Sequence, residues 1–422
     1  MTTNNQLSSF RWLRDKIFYG WVIVAASLVI ACTLTGIRFS FGVFLKSLEA
    51  EFDLTRAAIS SVFSVYMIFF AIFAIISGWA LDRYGPRLVV GLMGLFTGLS
   101  LLITSQTNSL WQIFLSYSLL LSVGTGGTMP VLMSVVSRWF DKKRGFALGI
   151  ATSGTGLGTL VMAPFAAYMI SNLDWRMSYV VMGIIAWLVV ISVAMLLRRD
   201  PGEIGAFPDG VKSGAGGIEI MGREESFRLT GLSLSQALRT RSFWLMLAVW
   251  LLFALCLNLI MTHVVPYATD VGISMIEAST ILSLIGGFQI LSRLSTGSIL
   301  DIIGRKVPGV ICALFGIGAL IWLVWSHNLW MFYLFAIIFG FSVGGLGVAM
   351  LTLVSDIFGR RSLGAIMGAL EVGFAMGAAI GSALGGFVFD VTNSYATAFA
   401  IGAAAMSVVA LFVTLTRRET NT

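Results

Sequence analysis

Apolar residues run along this chain in twelve long blocks, separated by short stretches of charge, proline and glycine. The blocks begin near Gly20, Ala57, Leu88, Leu110, Gly145, Trp175, Phe243, Ala278, Val307, Leu329, Leu363 and Ala396. Each offers roughly the 20 residues that a helix needs to cross a ~30 Å hydrocarbon layer. The pattern predicts twelve membrane-spanning helices, and an even number places both termini on one side. The one long polar stretch, Arg198 to Arg241, is rich in glycine and charge and reads as a flexible linker. The chain therefore divides into a six-helix half over 1–197, a linker over 198–241 and a second six-helix half over 242–422. The end of the linker, Leu229 to Arg241, reads as a short amphipathic helix on the membrane surface.

Composition agrees with this division. Of 422 residues, 57% are hydrophobic and 11% charged, whereas a soluble domain carries about a quarter charged residues. An ordinary soluble enzyme is excluded, and the length leaves no room for a further soluble domain. The polar, basic segment Met1 to Lys16 is followed by an apolar run too long for a signal-peptide core, so that run reads as the first membrane helix. Cys32, Cys256 and Cys312 lie inside apolar runs without a Cys-x-x-Cys pair, and read as small core fillers.

The net charge of +7 matters through its placement. With the N-terminus in the cytoplasm, the cytoplasmic segments hold Arg11, Arg14 and Lys16; Arg83 and Arg87; Arg138, Lys142, Lys143 and Arg144; seven residues between Arg198 and Arg241; Arg305 and Lys306; Arg360 and Arg361; and Arg417 and Arg418. These are 22 of the 27 basic residues. Lys46, Arg56 and Arg176 fall on the other side, and Arg38 and Arg293 lie within helices. The asymmetry predicts both termini in the cytoplasm. Basic residues scattered over seven short segments do not form a nucleic-acid surface.

The two halves repeat each other. GWALDRYGPR (Gly78 to Arg87) follows the second helix and GSILDIIGRK (Gly297 to Lys306) the eighth, with Asp82 and Asp301 219 positions apart. Phe140 and Phe358, after the fourth and tenth helices, are 218 apart, and Gly149 and Gly368 are 219 apart. Matches at a shared offset on the same side of the membrane indicate duplication, a transporter architecture with its binding site between the halves. In the loops Asp82, Arg83, Arg87, Asp301 and Arg305 suit a conformational latch of salt bridges and helix-end contacts that breaks when the halves rock.

The Gly-x-x-x-Asp-Arg-x-Gly-x-Arg pattern resembles the signature loop of the major facilitator superfamily. Tyr19-Gly20-Trp21, Ser40 to Phe44, and WFDKKRGFALGIATSG (Trp139 to Gly154) resemble the monocarboxylate transporter family, and the bacterial oxalate–formate antiporter group shares much of this pattern. The resemblance implies an all-α membrane protein of twelve helices in two pseudo-symmetric halves, carrying small carboxylates, often with a proton.

Ionisable residues within membrane helices usually face a cavity or a partner. Arg293 lies eight residues before Asp301, about 12 Å from the cytoplasmic end of its helix. A guanidinium at that depth can grip a carboxylate with two parallel hydrogen bonds, and the resemblance places the substrate-binding arginine at this position. The alternative is a structural ion pair within the second half. Arg38, roughly 27 Å along the first helix, falls in the outer third of the membrane. It can attract or gate anions there, snorkel to the interface, or pair with Glu49, Glu51 or Asp53. Glu371 lies at nearly the depth of Arg293 and is a proton-coupling candidate, or else a fixed partner of an arginine. His263, near the outer end of the seventh helix, is a second proton-coupling or gating candidate. The resemblance implies an Asp one helical turn before the arginine; this chain has Gln289, which cannot shuttle a proton. Tyr117 and Tyr333, at corresponding places in the repeats, are candidate substrate contacts, with Asn258 a further donor and Thr33 and Thr35 weaker ones. Gly154, Gly156 and Gly158, and Gly373, Gly377, Gly381 and Gly385, read as the sliding interface between halves.

No phosphate-binding loop, metal-ligand cluster or nucleophilic triad is present in the sequence, so neither an ATP-driven pump nor an enzyme is expected, and no cofactor. Efflux of hydrophobic compounds would not call for a central arginine. The sequence reads best as a small-monocarboxylate transporter working by alternating access, proton-coupled and monomeric, in a bacterial inner membrane. Carboxylate exchange without a proton, or a sensor on a transporter scaffold, is the alternative.

Overall fold

Twelve helices long and apolar enough to span a membrane fill the computed structural model, which describes residues 18–140, 143–204, 207, 209, 232–303, 306–359 and 362–416. They are α1 (Tyr19–Phe52), α2 (Arg56–Tyr84), α3 (Pro86–Thr104), α4 (Leu110–Trp139), α5 (Arg144–Asn172), α6 (Trp175–Ala194), α7 (Arg241–Asp270), α8 (Met275–Ile303), α9 (Lys306–Val324), α10 (Leu329–Phe358), α11 (Leu363–Thr392) and α12 (Ala396–Leu415). No strand occurs among the described residues.

Local chemistry sets where the chain turns. Thr55 and Thr240 accept hydrogen bonds from the amides of Ala58 and Phe243 at the starts of α2 and α7, supplying acceptors that helix starts lack. Between α2 and α3 the chain reverses at Gly85, with φ +81°, followed by Pro86 in the first turn. Only glycine takes that φ without strain, and proline is preset for a helix start. Within α4, residues Phe114–Leu120 are wound as a π-helix.

Length sorts the helices into layers. Helices α3, α6, α9 and α12 have 19 or 20 residues and form the periphery. Helices α2, α5, α7, α8, α10 and α11 have 29 or 30, about 45 Å at 1.5 Å per residue, longer than the hydrocarbon layer. The halves meet through α1 against α7, α2 against α11, and α5 against α8. Helix α1 begins and α12 ends at the same face, called the terminal face below; the other is the far face.

Of the expected linker, 205–206, 208 and 210–231 lie outside the described residues. The surface helix expected over Leu229 to Arg241 is a single turn, Leu234–Ala237, closed by a capping box between Ser233 and Gln236. Leu238–Arg239 turn away into the cap of α7.

Candidate transport site

The halves touch from the far face down to mid-height and part below it. A methyl group on Gly42 of α1 would strike the Met261 and Thr262 carbonyls of α7 at 2.5 and 2.7 Å. Ser64 of α2 donates to the Ala379 carbonyl of α11 at 2.7 Å, and Ser382 returns a bond to the Ser60 carbonyl at 3.2 Å. Gly156 of α5 and Gly286 of α8 meet backbone to backbone, and Ser283 donates to the Leu160 carbonyl. Toward the terminal face, among the described residues, close backbone packing gives way to a side-chain bridge from Arg293 of α8 to Thr152 and Thr155 of α5. At Gly149 on α5 and Gly368 on α11, the repeat-related pair, a methyl group would meet nothing within 4 Å. A cleft between the halves therefore opens at the terminal face.

The loop residues of the expected latch agree with that opening. Asp82 accepts from Arg138 at 2.8 Å, Arg87 donates to the Leu197 carbonyl at 2.6 Å, and Arg83 lies over the rings of Trp79 and Tyr84. All these bonds stay inside the first half. Arg305 and the side chain of Asp301 lie outside the described residues.

At the head of the cleft stands Arg38. Helix α1 is 34 residues long, so Arg38 sits just past its midpoint and not in the outer third. It is 9% exposed, which rules out snorkelling. Glu49 and Glu51 are occupied by Arg56 and Arg176. The guanidinium has weak partners: the Met67 sulfur at 3.5 Å and the faces of Phe39 and Phe70 at 4.8 and 4.7 Å. Its Nε has no hydrogen-bond partner. Tyr66, Tyr117 and, across the interface, the exposed Glu371 act on its charge without touching it. Tyr66 is tied to Thr125 at 2.6 Å, whereas the fully buried Tyr117, in the π-helical stretch, leaves its hydroxyl without a partner. Such π-helical segments recur at functional sites.

Arg293 is half-buried and reaches from α8 into the other half, donating to the Thr152 carbonyl at 3.0 Å and to Thr155 Oγ1 at 2.9 Å. Among the described residues, no carboxylate of its own half pairs with it. Glu371 lies within electrostatic reach of Arg38, although its depth is similar to that of Arg293. Gln289, one turn from Arg293, is buried at 8% exposure. Asn258 on α7 is fully buried, and Trp250 packs on Phe374 of α11 with its indole N–H unpartnered. Thr33 is spent on the Val29 carbonyl. Tyr333 does not join this group. Its hydroxyl bonds Thr280 of α8 at 2.8 Å, so the repeat correspondence with Tyr117 does not extend to their surroundings.

A second cluster seals the far face, and the sequence reading passed over its centre, Arg56. Its side chain is 6% exposed. It forks onto Asp270 of α7 at 2.5 and 2.9 Å, bonds Glu49 of α1 at 3.2 Å and Tyr395 at 3.0 Å, and stacks 3.7 Å from the Phe389 ring. Lys46 shares Asp270 at 2.6 Å, and Asp390 of α11 caps the Arg56 and Ala57 amides that begin α2. His263 completes the chain of bonds. Its Nε2 lies 2.8 Å from the Ser382 carbonyl and must donate to it; its Nδ1, 3.2 Å from Tyr395, accepts the phenol proton while the phenol oxygen accepts from Arg56. Burial pushes the Tyr395 phenol above its ordinary range, which keeps that proton in place. The available signal was the departure of Lys46, Arg56 and Arg176 from the basic-side rule: all three are held by carboxylates.

The glycine rows correct a further expectation. Gly373, Gly377 and Gly381 pack on Leu247, Leu251 and Leu255 of α7, and Gly385 on His263, all within the second half. Gly154 and Gly158 pack on α1 within the first half. Of the expected sliding surface, Gly156 alone meets the opposite half. No group of three or more His, Cys, Asp or Glu among the described residues could hold a metal ion.

A family profile described as Major Facilitator Superfamily matches residues 26–326 and again 264–422. Among curated proteins, monocarboxylate transporter 13 of Bos taurus is 23% identical over 403 residues, covering 92% of this chain and 86% of that one. Monocarboxylate transporter 12 of Rattus norvegicus is 22% identical, over 96% and 87%. The uncharacterized MFS-type transporter YhjX of Escherichia coli (strain K12) is 24% identical over 84% of each chain. Among solved structures, a bacterial homologue of the human lysosomal transporter Spinster, inward-facing and unoccupied, superposes with a TM-score of 0.69 at 17% identity, covering 95% and 96%.

Proposed function

The chain belongs to the major facilitator superfamily, a transporter in the membrane and not an enzyme, and on that premise we propose that it carries small monocarboxylates by alternating access. One observation carries this reading: each half sends an arginine to the cleft, Arg38 and Arg293, and among the described residues neither has a carboxylate in contact. An arginine deep in a membrane costs about 2.5–3.5 kcal/mol even by the mildest scale. An anionic ligand that neutralises such a residue gains most where both halves surround it, which is the differential affinity that drives closure. The names of the curated relatives support the carboxylate. Arg293 binds it, as the resemblance implied, with Tyr117 and Asn258 as further contacts and Arg38 drawing the anion to the head of the cleft.

Residues 1–197 and 242–422 act as the rocking halves, joined by 198–241. The charge distribution puts the terminal face in the cytoplasm, so the cleft faces inward, and a bacterial inner membrane and a monomer suffice. Glu371, exposed to the cleft and opposite Arg38, takes the proton when transport is coupled. His263 serves the far-face closure instead of the cleft. Gln289 favours a second reading, carboxylate exchange without a proton. Uptake of labelled lactate into proteoliposomes separates them. Accumulation into empty vesicles under an inward proton gradient establishes symport, uptake only against internal acid establishes exchange, and saturable binding without flux would make the chain a sensor.

A further inference from the structure

Asn258 is fully buried, and the direction of its amide is determined by chemistry. Its nitrogen lies 2.9 Å from the Ala254 carbonyl, a bond that an amide oxygen cannot make. The free end is therefore Oδ1, and no donor reaches it. An acceptor left alone in a buried place is costly, so a partner is expected at some stage of the protein's work.

The position of Asn258 indicates which stage. It lies three residues from Met261, hence on the same face of α7 and one turn nearer the terminal face. Met261 presents its carbonyl to Gly42 of α1 where the halves meet. Arg38 lies four residues from Gly42, one turn nearer the terminal face on α1. The two residues thus flank the head of the cleft from opposite halves, directly below its closed roof. On the first-half side the unpartnered atoms are donors, Arg38 Nε and the Tyr117 hydroxyl; on the α7 side Asn258 Oδ1 is an acceptor.

We propose that Asn258 Oδ1 receives a hydroxyl group of the ligand, and that the site thereby selects 2-hydroxy over 2-oxo monocarboxylates. This rests on the carboxylate reading above. The two kinds of acid have the same charge and nearly the same size. They differ at one atom: a hydroxyl can donate to Oδ1 while the carboxylate accepts from the arginine side, whereas a keto oxygen would set two acceptors against each other. A ligand joined to both Asn258 and the first-half donors also ties the halves together. A lone buried water at Oδ1 would satisfy the amide as well, without discriminating between the acids.

The test compares lactate with pyruvate, and glycolate with glyoxylate, as substrates for counterflow into proteoliposomes. Wild-type protein is expected to reach half-saturation with each hydroxy acid at roughly tenfold lower concentration than with its oxo partner, the worth of one neutral hydrogen bond with an orphaned acceptor as the alternative. In Asn258→Leu the ratio between hydroxy and oxo acids is expected to fall to about one, whatever the variant's overall uptake. Equal use of both acids by wild type overturns the inference even if Asn258→Leu fails to fold, and so does an unchanged ratio in the variant. Asn258→Ser, which keeps an acceptor, retains part of the preference. Transport of no carboxylate removes the carboxylate reading and this inference with it; transport of both kinds without preference removes this inference alone.

Discussion

Arg56 at the start of α2 and Asp270 at the end of α7 join the two halves through a two-pronged ion pair at the far face, with N–O distances of 2.5 and 2.9 Å. The pair is not isolated, since Glu49, Lys46 and Tyr395 share its partners and Asp390 caps the same helix end. Removing one member of so enclosed a set leaves the others uncompensated. Arg56→Ala should weaken closure of the far face by about 2–4 kcal/mol. A single cysteine placed at Ser64, in a chain whose three native cysteines are replaced, should then react with an impermeant reagent from the far side. Protection equal to wild type would show that the small-residue contacts below suffice to hold the face shut.

Arg293 uses one nitrogen for Thr152 and Thr155, and in the proposed function the rest of its fork receives the ligand. A lysine keeps the charge but cannot make parallel bonds to a carboxylate. Arg293→Lys should lower uptake by about tenfold or more while the purified protein elutes unchanged on size exclusion. Wild-type flux would place the ligand elsewhere, with Arg38 as the remaining cation of the cleft.

Glu371 lies within electrostatic reach of Arg38, in the opposite half. Glu371→Gln preserves shape and removes the titratable proton, so exchange of internal for external acid should persist and accumulation driven by a proton gradient should vanish. Undiminished accumulation would mean that the proton travels with the substrate or through another group.

Two glycines of α11 should respond in opposite ways. A methyl group on Gly377 would overlap the Leu251 carbonyl, and overpacking of this kind costs about 1–3 kcal/mol. Gly377→Ala should therefore lower the unfolding temperature. Gly368 has open space before it, so Gly368→Leu should fold normally yet stop transport, because the new side chain occupies the mouth that must shut. Thermal unfolding and uptake, measured on both variants, separate the two effects.

Much of the architecture is legible in the chain because hydrocarbon leaves the backbone few choices. Every block of apolar residues became a helix starting within three residues of the expected place, the largest difference being Met275 against Ala278. The offset of about 219 residues likewise pointed to two halves, and Gly149 and Gly368 face open space in the same way. What failed is what depends on which helix lies beside which. Helix length misplaced Arg38, since α1 runs on past a single turn residue, Ser40, into a far-face extension. The row at Gly373 to Gly385 announced close packing correctly but not its partner, which is α7 of the same half. Tyr333, 216 positions after Tyr117 and so about one helical turn out of the repeat register, spends its hydroxyl on Thr280. Arg56 reads as a loop cation until Glu49, Asp270 and Tyr395, up to 339 positions away, converge on it.

The backbone contact of Gly156 with Gly286 has a mechanical meaning. It lies near the middle of both α5 and α8, between a sealed end and a splayed one, with the two glycine backbones in contact and the side chains of Ile290 and Thr159 packed beside them. A hinge pin in that place divides each half into two arms of comparable length, so a swing that parts one end must bring the other together. Points close to the pin travel least. Cargo held at this height is nearly stationary while the passage leading to it changes sides, and the protein has only to tilt its walls around it.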